Sequence, residues 1–301
     1  MSSDMKTDPL ALLAAALTLT VWSSSYPAIS YGLRVFTPGE LTLLRFLTAS
    51  LCFAVPVVLG RVKLPPKEDW LALVILGLLG NTAYQLFLGY SMTRISAGAA
   101  AVVISMAPAI VSTLAVLRLK ETLNRAAILG LVVAFGGAML VTVGQGHSLH
   151  FDPMALLVFI AVLCCSSYFV WQKPLLQRTS ALGFTSASMF VGTLGMIPFG
   201  WDLPEKLLTA PHAAIYAVVY LGLLPTVVGF LSWSFALSRA PASRISSFLY
   251  LQPVGAMLIA WLWLGEVPVW LTVVGGALAI GGVALTATGG PAPARVACRV
   301  R

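Results

Sequence analysis

Apolar runs of 18 to 23 residues recur ten times along this 301-residue chain, and no other feature restricts its fold as tightly. They cover about 10–31, 39–59, 70–91, 97–117, 125–143, 154–173, 182–199, 213–235, 243–264 and 268–286. At ~1.5 Å rise per residue, each is about long enough to cross a hydrocarbon layer of ~30 Å. A water-soluble core cannot absorb them: only 9% of the residues are charged against 59% hydrophobic, and a soluble domain carries roughly 25% charge. The runs lack the period-2 alternation of a membrane barrel, whereas helices satisfy their own backbone hydrogen bonds in lipid. The expected fold is an all-α integral membrane protein with ten transmembrane helices.

The second constraint is an internal repeat. Residues 94–121 recur as 239–266, placing Arg94 on Arg239, Ala97 on Ala242, Pro108 on Pro253 and Glu121 on Glu266 at a constant offset of 145. Chance identities in apolar helices are mostly Leu, Ala and Gly, so the Arg, Pro and Glu anchors carry the weight. We read two units, 1–145 and 146–290, followed by a basic tail at 291–301. Each unit holds five helices, an odd number, so the second must insert upside down. Inverted repeats suit alternating access, because two copies that exchange conformations open a shared site to one side and then the other.

The net charge of +8 does not indicate nucleic acid once its placement is considered. With the N-terminus in the cytoplasm, 14 of the 18 basic residues fall in inner loops and tails. The outer side holds Arg34, Arg94 and Lys206, and Arg45 lies within the second helix. This asymmetry predicts cytoplasmic termini, with anionic headgroups accounting for the basic surface. The first run is not read as a signal peptide: Asp4 and Asp8 flank a single Lys6, and its removal would leave the first unit one helix short.

Catalytic and metal chemistry finds little support. Cys52, Cys164 and Cys165 lie in apolar runs and Cys298 in the tail, without ligand spacing. His147, His150 and His212 lack carboxylate or thiolate company. No catalytic triad, phosphate loop or HExxH motif occurs, so no cofactor, metal or enzymatic activity is expected. Gly130, Gly136 and Gly137, with their mates Gly275, Gly281 and Gly282, read as close-packing positions between helices.

Two inverted five-helix units, the run from Trp22 to Pro27, Arg45 in the second helix, and the pairs Pro108/Glu121 and Pro253/Glu266 together resemble the EamA family of the drug/metabolite transporter superfamily, and within it the bacterial YddG-type amino-acid exporters. The resemblance covers nearly the whole chain. It implies a multi-pass inner-membrane carrier that moves amino acids or related metabolites outward. The second unit departs from the first: Cys164-Cys165-Ser166-Ser167-Tyr168 replaces the Trp-Ser-Ser-Ser run, and nothing in the eighth helix answers Asn81, Tyr84 and Gln85.

A substrate site is sought among polar and aromatic side chains at membrane depth, which are costly against lipid. Helical spacing groups Trp22, Ser25 and Tyr26, then Asn81, Tyr84 and Gln85, then Tyr168, Trp171 and Gln172; Tyr250 and Gln252 lead up to Pro253. The bland alternative is that serines bond their own carbonyls and amides tie helices together. For Asn81, Tyr84 and Gln85 as a set we favour the site. Trp70, Trp201 and Trp270 at helix ends read as interface anchors. Pro108 and Pro253 lack an amide donor and clash with the carbonyl four residues back, which predicts kinks and candidate hinges. Arg94 and Arg239 read as helix-end caps, and Glu40, Glu121 and Glu266 as helix-entry acids.

The function expected is export of small metabolites, amino acids of the aromatic or other neutral kind first, through an uncharged cavity lined by Asn81, Tyr84, Gln85, Tyr168 and Gln252. With all ten acids in tails, loops or helix ends, nothing ties transport to a proton, and facilitated diffusion follows. The rivals are a proton-coupled organic-cation antiporter, an intramembrane enzyme on lipid-linked substrates, and a non-transporting membrane receptor.

Overall fold

The computed structural model describes residues 8–91, 93–94, 103–144, 154–264 and 269–288, and every regular element among them is helical. In chain order these are α1 (Pro9–Ser23), α2 (Ser25–Gly32), α3 (Pro38–Val58), α4 (Trp70–Gly77), α5 (Tyr84–Ser91), α6 (Ala107–Leu119), α7 (Arg125–Gly144), α8 (Ala155–Leu176), α9 (Ala181–Met196), α10 (Leu203–Thr209), α11 (His212–Leu221), α12 (Gly229–Arg239), α13 (Ala242–Ser247), α14 (Gln252–Leu264) and α15 (Trp270–Thr288). A π-helical turn, Leu78–Ala83, joins α4 to α5, and another, Gly222–Val228, joins α11 to α12. Among the described residues, six helical stretches are long and apolar enough to cross a membrane: Pro38–Val58, Lys67–Ser91, Arg125–Val143, Leu156–Leu176, Ala181–Phe199 and His212–Arg239. The expected His147, His150, Glu266 and Cys298 lie outside the described residues.

Local chemistry sets several ends. Asp8 accepts from the Leu10 amide at 3.0 Å with Pro9 in the first turn of α1. Thr37 and Glu40 form a capping box at α3, the Glu40 carboxylate accepting from the Thr37 amide at 2.7 Å and holding Lys206 at 2.6 Å. Lys120 ends α6 in the left-handed region at φ 54°.

The tightest helix contact joins α7 to α15. A Cβ on Gly130 would stand 2.6 Å from the Gly282 carbonyl oxygen, and one on Gly137 the same distance from that of Gly275. Gly130 corresponds to Gly275, and Gly137 to Gly282, at the 145-residue offset, so the two contacts are reciprocal. Helices meeting this way run antiparallel across a local two-fold axis. Gly136 and its counterpart Gly281 face open space, correcting the expectation that all six glycines pack.

Both predicted breaks occur, displaced from mid-helix to helix starts. Pro108 occupies the first turn of α6 after a turn at 105–106, and Pro253 the first turn of α14 after a 3-10 turn, Phe248–Leu251. At those positions the missing amide costs no hydrogen bond within the α-helix it opens.

Candidate functional site

A cavity of about 110 Å³ lies among the helix breaks. A single water needs roughly 10–15 Å³ on the same measure, so several waters or one small solute fit. Trp22, Ser25 and Ile29 come from α1 and α2, Arg45 from α3, and Gly80, Tyr84, Gln85 and Leu88 from the first π turn and α5. Ile104, Ala107, Val162, Cys165 and Phe169 close one side, and Pro225, Phe230, Leu249 and Gln252 the other. Four pairs on this wall, Gly80/Pro225, Gln85/Phe230, Ile104/Leu249 and Ala107/Gln252, are related by the offset of 145. The wall is thus built in part from positions that correspond in the 145-residue sequence repeat. Its chemistry is unequal, since the position held by the Gln85 amide in the first copy of the repeat holds the Phe230 ring in the second.

The broken helices supply the polar anchoring. Pro225 cannot donate to the Leu221 carbonyl four residues back, and the Thr226 hydroxyl donates to it instead at 2.8 Å. Thr226 Oγ1 is thereby oriented to accept from Arg45 Nε at 3.1 Å. Trp22 Nε1 donates to the Pro225 carbonyl at 2.9 Å. On the opposite π turn, Gly80 lies against the ring of Tyr168, where any side chain would collide.

Of the residues singled out from sequence, Trp22, Ser25, Tyr84, Gln85 and Gln252 line this cavity. The side chain of Tyr26 lies outside the described residues. Asn81 and Tyr168 are buried behind the wall: Asn81 Nδ2 donates to the carbonyl and hydroxyl oxygens of Ser188 at 2.9 and 2.8 Å, and the Tyr168 hydroxyl meets Ser188 Oγ at 3.2 Å. Trp171 is exposed rather than in the cavity. On α8 the lining face is Val162, Cys165 and Phe169, one residue round from the expected Tyr168 face. Gln172 is fully buried with neither amide atom bonded. Ser25 donates to the Trp22 carbonyl at 2.6 Å, so it braces the α1–α2 break as well as lining the wall. The expectation of an uncharged cavity is also corrected, because Arg45 reaches it; Phe169 and Phe230 were likewise not among the expected residues.

Below the cavity an aromatic floor forms, with Trp233 centred 5.4 Å from Trp22 and 4.9 Å from Phe169. Beneath it lies the largest buried cluster, which includes Ala11, Ala15, Leu73, Leu76, Val111, Ala115, Ala236, Leu237, Ala242 and Ile245. Along each of their helical stretches, these residues sit nearer the Glu121 end of the bundle than the cavity-lining ones. That end of the bundle is therefore packed with buried side chains.

Ion pairs fasten the same end. Arg178 bonds Asp69 at 3.0 Å and Arg239 bonds Asp8 at 2.7 Å. Glu121 was expected to anchor the start of α7; it instead caps α13, accepting from the Ala242 and Ser243 amides at 2.7 and 3.1 Å and from Ser243 Oγ at 2.6 Å. Lys173 Nζ bridges Glu121 at 3.1 Å and the Ala240 carbonyl at 2.6 Å. Burial alone would raise the Glu121 carboxyl, but the Lys173 charge, the Ser243 hydroxyl and the two amides outweigh it and hold the group below the usual glutamate range. Among the described residues no group of three or more His, Cys, Asp or Glu could hold a metal.

Known proteins share this architecture. The model of the EamA-like transporter family matches residues 9–143 and again 152–288. A probable terminal-alkyne amino-acid exporter of Streptantibioticus cattleyicolor is 36% identical over 275 residues, covering 91% of this chain and 92% of that one. The uncharacterized transporter YdfC of Bacillus subtilis is 32% identical over 91% of this chain and 90% of its own. A solved crystal structure superposes with a TM-score of 0.74 at 20% identity, covering 91% of this chain and 95% of its own, a likeness of fold.

Proposed function

Because the chain belongs to the EamA-like transporter family and is a multi-pass membrane protein, we propose that it exports small metabolites, neutral amino acids first, by alternating access at the cavity beneath Arg45. One observation carries this reading: equivalent positions of the two units line the cavity in pairs, while the Glu121 end is plugged and ion-paired. A site on the axis between two inverted units can open to either side when the units exchange conformations. The similarity to a probable amino-acid exporter supports the substrate class.

The reading includes ten spans in two inverted units, 1–145 and 146–290, with cytoplasmic termini and a bacterial inner-membrane location. The twofold family match and the reciprocal glycine contacts support it. With the Glu121 end cytoplasmic, the cavity is sealed from inside and the state is outward-facing. Pro108 and Pro253 then act as the flex points for the two gates, since both helix breaks border the cavity at Ala107 and Gln252.

Purified protein in liposomes loaded with labelled phenylalanine, leucine or an organic cation provides the test. Efflux of an amino acid down its gradient, accelerated by unlabelled amino acid outside, is expected. Efflux of the cation alone, driven by a pH gradient, would replace this reading with an antiporter.

A further inference from the structure

Arg45 stands out among the cavity residues as the cation the expected site lacked. It is 7% exposed, and arginine stays protonated at any physiological pH. Of its five N–H donors, Nε goes to Thr226, and the guanidinium lies 5.6 Å from the Phe46 ring centre. Among the described residues no carboxylate is within ion-pair distance of it. The acids at either end of the bundle are engaged, Glu40 by Lys206 and its own helix cap, and Glu121 by Lys173 and the start of α13. A full positive charge inside a bundle is expensive without a counter-charge, and a guanidinium presents a planar fork that fits two oxygens of one anion.

Resting on the proposal that this cavity is the transport site, we propose that Arg45 binds the carboxylate of the substrate, and that the cargo class is therefore carboxylate-bearing solutes rather than organic cations. One guanidinium balances one negative charge, which favours a carboxylate over a multiply charged phosphate. The rest of the wall suits the remainder of such a solute: Gln85 and Gln252 are polar, while Trp22, Phe169 and Phe230 cover an apolar side chain. Thr226, held by Leu221, fixes the guanidinium's angle. An organic cation would instead meet like charge at the same point.

The probes are phenylalanine, 3-phenylpropionate, phenylalanine amide and phenethylamine, competing against labelled phenylalanine in proteoliposomes. Their stabilisation of the purified protein against heat is a readout independent of transport. Both carboxylates should compete and stabilise, and the amide and amine should do neither. Arg45→Gln should weaken carboxylate competition roughly tenfold or more, and Arg45→Lys, which keeps the charge but loses the fork, should retain a weaker carboxylate preference. The lysine variant covers the case in which the glutamine variant fails to assemble. Equal action of amide, amine and carboxylate on the native protein, or an unchanged preference in an assembled Arg45→Gln variant, overturns the assignment and leaves transport standing. Carboxylate stabilisation that depends on Arg45 in liposomes that move none of the four would uphold the assignment and overturn the export reading.

Discussion

Gly137 lies so close to Gly275 that a Cβ on it would stand 2.6 Å from the Gly275 carbonyl oxygen, and Gly130 meets Gly282 in the same way. Seven residues separate the members of each helix's pair, and the order is reversed between helices. At Gly137 in this seam all three nearest atoms are backbone of α15, so no side chain there can yield. Gly137→Leu should therefore cost about 1–3 kcal/mol of stability by overpacking and lower the melting temperature in detergent. Gly136→Ala, facing open space, should leave it unchanged or slightly raised. Equal melting temperatures for Gly137→Leu and the native protein would contradict the seam.

Asn81 and Gln85 are expected to separate structure from binding. Asn81→Ala removes two hydrogen bonds to Ser188, at a cost of about 1–3 kcal/mol, and should reduce the amount of folded protein while leaving the KM of the remainder near its native value. Gln85→Ala and Tyr84→Ala, on the cavity wall, should raise KM with abundance little changed. Quantifying folded protein by fluorescence-detected chromatography beside uptake kinetics distinguishes the two. A raised KM in Asn81→Ala would place Asn81 in the site.

How far the sequence alone reached is visible in these same residues. Helices were legible because lipid permits few other backbones, and the duplication because Arg, Pro and Glu anchors survive where apolar residues interchange. The lining face of α8 was not legible: Tyr168 and Phe169 are adjacent and differ by ~100° around the helix, and which of them meets the cavity depends on the close approach of Gly80 to Tyr168. Arg45 was visible as a cation within the second helix, but its bond to Thr226 in the π turn Gly222–Val228 was not, because no simple spacing marks such a turn. Glu121 was readable as a helix-end acid; that it caps α13, distant in sequence, rather than the neighbouring α7 is a tertiary fact.

Acid should loosen the end that Glu121 fastens. A carboxyl held below its unfolded value adds stability above the unfolded value, about pH 4.3 for glutamate, and loses it as pH falls through the folded value. The melting temperature should therefore drop in acid below that range. Glu121→Ala should lower stability at neutral pH by about 3 kcal/mol or more, because Lys173 is left buried beside an empty position, and should flatten the further loss in acid. An unchanged acid limb in Glu121→Ala would assign the transition to other carboxyls.

A pH gradient by itself should drive no uphill accumulation. Among the described residues the cavity wall contains no carboxylate or histidine, so no group there exchanges a proton for substrate. Proteoliposomes with an imposed pH difference and equal amino acid on both sides should show no net movement. Accumulation abolished by Glu121→Gln or Glu266→Gln would restore proton coupling.

Orientation is open to thiol labelling. Cysteines introduced near Lys63 and Arg178 should react with an impermeant maleimide from the cytoplasm, and those near His147 and Lys206 from outside. Reaction of the Lys63 and His147 sites from one side would remove the ten-span arrangement.

The most direct measurement uses a thiol already in the cavity. Cys165 lines it, so replacing Cys52, Cys164 and Cys298 by alanine leaves one reporter in the cavity. Modification by an impermeant maleimide is expected from the outside in the state described, and from the cytoplasm when an amino-acid gradient draws the carrier inward, with saturating amino acid protecting it from either side. Modification confined to one side under every gradient, or indifferent to amino acid, would contradict a shared, alternately exposed site.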